Sequence, residues 1–181
     1  MPARILNREV LIGATGPYYS YSGRGAYDIR APPGIPPIDP LFGYLNLPTV
    51  QNAFGVNLNW TPANEEVYYA FQQSGDTVYP NALASLNRLL DEQVRVVLYA
   101  GDSDYICNWF GGEAVSLAVN YSHAAEFRAA GYAPFVIDGT EYGAVRERGN
   151  FSFVRIYESG HQVPYFQRKL FSSAGSQGFA S

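Results

Sequence analysis

The chain has 181 residues, 47% of them hydrophobic and 15% charged, with a net charge of −4. That length fits one domain or a piece of a larger one, and the charged share lies below the roughly 25% of an average soluble domain. The two signs of charge are interspersed and no basic stripe exists, which argues against a nucleic acid or an anionic membrane as partner; no apolar run approaches the roughly 20 residues of a membrane span.

Tyr (15) and Phe (11) are abundant, so much of the core is expected to be aromatic. Residues 1–16 (MPARILNREVLIGATG) lack the basic region followed by a continuous apolar run of a secretory signal peptide. Three sequons nevertheless occur, Asn59-Trp-Thr, Asn120-Tyr-Ser and Asn150-Phe-Ser, which makes these asparagines glycosylation candidates. Together they point to a secreted parent whose N-terminal part is not in this chain. The single cysteine, Cys107, rules out an internal disulfide and is either an apolar filler or a functional thiol.

Residues 1–48 read as loop and linker. Gly, Pro, Tyr and Ser dominate 14–25, and the stretch APPGIPPIDP at 31–40 cannot hold a helix, because each Pro removes a donor and restricts its predecessor. Residues 49–171 then alternate between elements. A short helix is expected at 47–55, with Pro near its start and Gly at its end. A second is expected at 64–73, with Val67, Tyr68 and Phe71 on one side. The clearest is 81–93, where Leu83, Leu86 and Leu90 fall at helical spacing. Residues 94–100 (VRVVLYA) form a β-branched run ending at Gly101, as a buried parallel strand requires. Short helices follow at 113–120 and 123–130, then strands at 135–137 and 151–157. The tail, 172–181, is small and polar and is expected to fray. The pattern is α/β with a mainly parallel sheet.

In open α/β sheets, functional groups gather in loops beyond the C-terminal ends of strands. Two strands end in such loops, one giving GDSDYICNW at 101–109 and the other GHQVP at 160–164. Of the two histidines, His123 falls in a helix beside alanines and reads as a surface residue. His161 follows a strand and a glycine. A carboxylate after one strand and a histidine after a later one is the Asp…His order of an α/β-hydrolase triad. A strand-end Asp is equally a common helix cap, and a strand-end His a common structural group. No serine stands in a Gly-x-Ser-x-Gly elbow; Ser103 comes closest, with Gly on one side only. Gly101-Asp-Ser resembles the block of another serine hydrolase class, which expects that block near the N-terminus and an Asp-x-x-His late in the chain; here Glu158-Ser-Gly precedes the late His. Cys107 as nucleophile would need a base within hydrogen-bond reach.

The run VRVVLYAGDSDYICNWFGG at 94–112 closely resembles the Asp region of serine carboxypeptidases, most of all the fungal carboxypeptidase Y and S1 types. GHQVP at 160–164 resembles their His region. YSGRGAYDIR at 21–30, YLNLPTVQNAFGV at 44–56 and FSFVRIY at 151–157 look like family sequence as well. The resemblance implies the C-terminal portion of an α/β-hydrolase fold, incomplete. Asp104 rather than Asp102 would be the triad acid, and His161 the general base. Cys107, Asn108, Trp109 and Tyr105 would line the substrate pocket. The implied activity is removal of C-terminal residues from peptides without cofactor or metal, in a secreted or vacuolar setting.

The family's Ser elbow, oxyanion-hole glycines and carboxylate-binding Asn and Glu have no counterpart here, prolines replace its disulfide region, and Gln162 stands where relatives carry Glu or Met. The isolated chain is therefore expected to be inactive. A further N-terminal chain or half would be its partner, and without it the edge of 94–100 would be exposed. A non-catalytic peptide-binding module and an acyltransferase of the same fold are the alternatives.

Overall fold

Two-residue turns set the direction of most of the sheet. In the computed structural model, which describes residues 17–33, 39–75 and 81–174, strands β2 (Ala133–Ile137), β3 (Thr140–Arg148) and β4 (Phe151–Ile156) form a meander. The first turn is Asp138-Gly139, with φ of 50° and 76°, a left-handed pair that matches the twist of the strands it joins. The second is Gly149-Asn150, with Gly149 at φ 59°. Turns this short permit only antiparallel pairing. β1 (Val96–Gly101) joins β4 in parallel, giving the order β1-β4-β3-β2. The sheet is thus mixed, and the expectation of a mainly parallel one is corrected for the described residues. Strand β3 was not anticipated.

The chain divides into two units. The first contains described residues 39–75: helices α2 (Asp39–Leu45), α3 (Pro48–Phe54) and α4 (Glu65–Ser74). Pro48 opens α3 where its missing N–H is not needed, and Gly55 closes it in the left-handed region at φ 68°. The Asn64 side chain accepts the Val67 N–H and caps α4. Asn46 accepts the Trp60 N–H at 2.7 Å and donates to the Phe42 and Trp60 carbonyls.

The second unit holds the sheet, residues 17–33 (helical over 17–22, α1) and α5 (Ala82–Asp91), α6 (Trp109–Ala118), α7 (Ala124–Ala129), α8 (Val163–Phe166) and α9 (Arg168–Ala174). β4 is buried on both faces because alternate side chains feed two clusters. Phe151 and Phe153 pack with Leu90, Val119, Tyr121, Ala124 and Phe127. Val154 and Ile156 pack with Val163 and Leu170. Of the α5 leucines, Leu90 is buried and Leu86 packs beside it, while Leu83 and Leu89 stay exposed. α9 occupies ground expected to fray up to Ala174, and α1 and α2 fall in ground expected to be loop, α2 opening on Asp39 and Pro40 at the end of the proline stretch; the rest of the tail and residues 34–38 lie outside the described residues. Among the described residues no helix is long and apolar enough to cross a membrane.

The sequons differ in what their asparagines do. Asn59 and Asn120 are exposed. The Asn150 amide nitrogen, where a glycan would attach, donates to the carbonyls of Leu90 (3.0 Å) and Val94 (2.8 Å). Folded protein from a secretory host is therefore expected to be bare at Asn150. Asn150→Ala should cost about 2 kcal/mol in urea denaturation, because two carbonyls lose their donor. A glycan mapped to Asn150 in folded protein, or an unchanged midpoint, would contradict this.

Candidate active site

Because β1 and β4 are parallel neighbours, their C-terminal residues, Gly101 and Ile156, are register partners and their loops emerge side by side. The pairing continues past the strand ends. The Asp102 N–H donates to the Ile156 carbonyl and the Ser103 N–H to the Ser159 carbonyl, both at 2.9 Å. The Asp102 carboxylate accepts the Ser103 hydroxyl at 3.0 Å and the Ser159 N–H at 3.3 Å, so it joins the two loops.

Asp104 sits one turn further on, with a side chain only 4% exposed. Its Oδ1 accepts the backbone N–H groups of Ile106 (3.1 Å) and Cys107 (3.2 Å). Its Oδ2 meets His161 Nδ1 at 2.8 Å. One oxygen anchors the carboxylate to its own loop and the other fixes the imidazole, a charge-assisted arrangement with little freedom. With Nδ1–H donated to Asp104, the basic nitrogen of the ring is Nε2. The His161 side chain is 40% exposed, its ring stands edge-on to Tyr27 at 5.2 Å, and its backbone N–H donates to the Tyr27 carbonyl at 2.8 Å.

The four expected pocket residues take different places. Cys107 is exposed and lies beside the pair; its sulfur, an Asp104 oxygen and a His161 nitrogen lie within 4.8 Å of one another. Among the described residues this is the one grouping of three potential metal donors, but Oδ2 and Nδ1 are already bonded to each other. Although Cys107 is exposed, partial desolvation pushes its thiol up from its ordinary value, and the Asp104 charge adds to this. A nucleophilic thiol needs the opposite shift. Asn108 caps α6, accepting the Gly111 N–H while its amide donates to the Tyr105 carbonyl. Trp109 packs against the aromatic core and under the Arg155 guanidinium at 4.2 Å. Tyr105 stacks on Tyr18 at 3.9 Å. Cys107 and Asn108 also border an apolar hollow of about 350 Å³ walled by Leu98, Ile106, Val115 and Phe153. His123 lies apart from this constellation, at the start of α7, with Nδ1 3.4 Å from Glu126.

The sequence points to 21–30 as family-like but assigns residues 25–31 no role at the site. This segment accepts or donates backbone hydrogen bonds from both site loops. It also carries Asp28, a buried carboxylate held below its ordinary range chiefly by hydrogen bonds from the Arg30 side chain. No periodicity marks such a segment; 21–30 is similar to family sequence, and the alternation of an acid and a base at 28 and 30 is the local chemical signal, but neither assigns it a role at the site.

Comparison with known proteins bears on the family and the fold. The sequence model described as serine carboxypeptidase matches residues 35–174. Carboxypeptidase S1 homolog B of Arthroderma otae is 46% identical over 83% of this chain and 23% of its own length. Carboxypeptidase S1 of Penicillium janthinellum is 37% identical over 84% of the chain and 36% of its own. The chain therefore spans about a quarter to a third of these relatives. The crystal structure of Kex1(delta)p, a prohormone-processing carboxypeptidase from Saccharomyces cerevisiae, shares the fold with a TM-score of 0.61 at 21% identity, covering 81% of this chain and 34% of that one. The chain belongs to the serine carboxypeptidase family.

Proposed function

We propose that this chain supplies the acid and the base of a Ser–His–Asp triad to a serine-type carboxypeptidase whose nucleophilic serine lies in another segment. The observation that carries the reading is the 2.8 Å bond between Asp104 Oδ2 and His161 Nδ1, made by loops at the ends of adjacent parallel strands. His161 Nε2 takes the serine proton as the hydroxyl oxygen attacks the last peptide carbonyl of the substrate. It then gives that proton to the departing amino group, and the acyl-enzyme is released by water through the same base. Asp104 holds the ring in the tautomer this requires. Cys107 and the hollow beside it are the place for a substrate side chain. No cofactor takes part, and the sequons fit a secreted or vacuolar setting.

The sequence contains no Gly-x-Ser-x-Gly elbow, so the 181 residues alone are expected to take no label from a fluorophosphonate probe. The test is a chimaera in which this chain replaces the matching segment of the Penicillium janthinellum carboxypeptidase S1. The chimaera should release C-terminal amino acids from peptides and label with the probe. His161→Ala should abolish both. A labelled isolated chain, or a chimaera indifferent to His161→Ala, would sink the reading.

A further inference from the structure

The loops bearing Asp104 and His161 do not only touch each other; both are bound to one short segment that lies far upstream in sequence. The Ala26 carbonyl accepts the N–H groups of Tyr105 (3.0 Å) and Ile106 (3.1 Å), directly after Asp104. The Ile29 N–H donates to the Ser103 carbonyl at 2.9 Å, directly before Asp104. The Tyr27 carbonyl accepts the N–H of His161 itself. The segment is closed on itself by the Gly25 N–H to the Ala31 carbonyl (2.8 Å) and the Ala31 N–H to the Asp28 carbonyl (3.1 Å). Ala26 is fully buried.

An ionic clasp locks the far side. Arg30 places Nε and Nη2 on the two oxygens of Asp28, at 2.9 and 2.8 Å, and Asp28 also accepts the Arg30 backbone N–H. The remaining Nη1 reaches Glu158 at 2.7 Å. Glu158 lies three residues before His161 and holds a left-handed φ of 53°. The Arg30 guanidinium also lies over the Phe166 ring at 5.3 Å, just beyond the same loop. A two-pronged Arg–carboxylate pair fixes orientation as well as distance. Its third contact falls on the one loop whose position decides where the imidazole points.

We propose that residues 25–30 act as a strap that positions the general base, with Arg30, oriented by Asp28 and gripping Glu158, as the positioning residue that sets the Asp104–His161 bond. This rests on the reading of His161 as the base. The strap fastens the Asp loop from both sides of Asp104 and the His loop at His161, so slack in it appears as misalignment of the pair. The Arg30–Glu158 pair is exposed and contributes little to stability, whereas loss of Arg30 leaves the buried Asp28 unpaired and lowers stability as well, so the deciding signature is in catalysis and in the imidazole, judged against a control of matched stability. A displacement on the order of 1 Å at a catalytic group costs about 10²-fold in rate.

The experiment has two arms. In the 181-residue chain, proton NMR reads the low-field Nδ1–H resonance of His161, identified by its loss in His161→Ala. In the chimaera, peptide release gives kcat and KM separately. Arg30→Ala should broaden or abolish the resonance and lower kcat about 10- to 100-fold with KM changed less than about twofold. Arg30→Lys, which keeps the charge but not the fork, should recover part of both. Phe127→Leu, a core change away from the strap, should lower thermal stability at least as much and leave the resonance and kcat near wild type. If Arg30→Ala does not fold, Glu158→Gln serves instead, since Glu158 is 80% exposed; it should give a smaller loss in the same two readouts. An unchanged resonance and kcat in Arg30→Ala or, where that fails to fold, in Glu158→Gln would overturn the proposal. So would a loss that Phe127→Leu reproduces. If His161→Ala itself leaves peptide release intact, the reading of the base fails instead.

Discussion

Asp104→Asn in the chimaera is expected to lower kcat by about 10⁴-fold while leaving the fold intact. The amide oxygen can still take the N–H groups of Ile106 and Cys107 in place of Oδ1. The amide nitrogen then faces His161 Nδ1, where a donor meets a donor unless the imidazole switches tautomer. In the switched form Nδ1 accepts and Nε2 carries the hydrogen, so the ring presents a proton to the serine instead of taking one. The loss therefore appears in kcat, while the midpoint of thermal unfolding stays close to wild type. His161→Ala should cost more, on the order of 10⁶-fold, because the base itself is gone. Asp102→Asn is the matched control. Its carboxylate touches Ser103 and Ser159 but not the imidazole, and an asparagine oxygen can accept the same bonds, so kcat should fall less than about tenfold. Measured peptide release in which Asp104→Asn and Asp102→Asn behave alike would remove Asp104 from the triad.

The contrast between these two aspartates shows what the sequence could reveal. Both follow one strand within three residues, and spacing alone does not choose between them. The choice came from the family resemblance at 94–112, and the geometry agrees with it: both aspartates reach the loop after β4, but only the Asp104 carboxylate meets the His161 imidazole. The strand β1, the closing Gly55 of α3, the helix beginning near Asn64 and the helical spacing of the α5 leucines were readable because each rests on local chemistry. Strand β3 was not, because Gly143 and the charged run Arg146-Glu147-Arg148 break its alternation. Its flanking turns, Asp138-Gly139 and Gly149-Asn150, were the signal that could have found it, and they also fix the antiparallel half of the sheet.

The start of α6 was placed too late for a related reason. Gly111-Gly112 reads as a helix breaker, whereas the Asn108 cap carries the helix through both glycines, and Gly112 lets Phe153 approach. Asn108 and Trp109 entered as pocket residues through the family resemblance; Asn108 both caps α6 and borders the apolar hollow, while Trp109 packs on the aromatic core. Residues 25–30 were illegible for a deeper reason. Half of their contacts run through backbone carbonyls and N–H groups to loops more than seventy positions away, which any sequence supplies, and the side-chain clasp of Arg30 on Glu158 spans 128 positions.

Gly160→Ala should disrupt the site more severely than its single added carbon suggests. Gly160 has no left-handed φ to demand glycine; space demands it. A Cβ there would run into the Tyr27 carbonyl, the acceptor of the His161 N–H, and would lie 3.0 Å from Asp28 Cβ and 3.1 Å from Phe166 Cε2. None of these is the far end of a flexible chain, so the His loop must lift off the strap. Overpacking of this kind costs about 1–3 kcal/mol, and the lifted loop should lower kcat by about 10²-fold or more. Gly101→Ala is expected to be worse, because its Cβ would meet the carbonyls of both Ser159 and Gly160, where the two loops run backbone against backbone. Gly111→Ala is the control from the same unit. Its nearest neighbour would be Asn108 Oδ1 at 3.8 Å, and in a helix the change should stabilise by about 0.5–1 kcal/mol. Urea denaturation and peptide release on the three variants would decide the matter. Wild-type behaviour in Gly160→Ala would mean that the loop has room the close approach denies, and that contact with the strap does not hold the base in place.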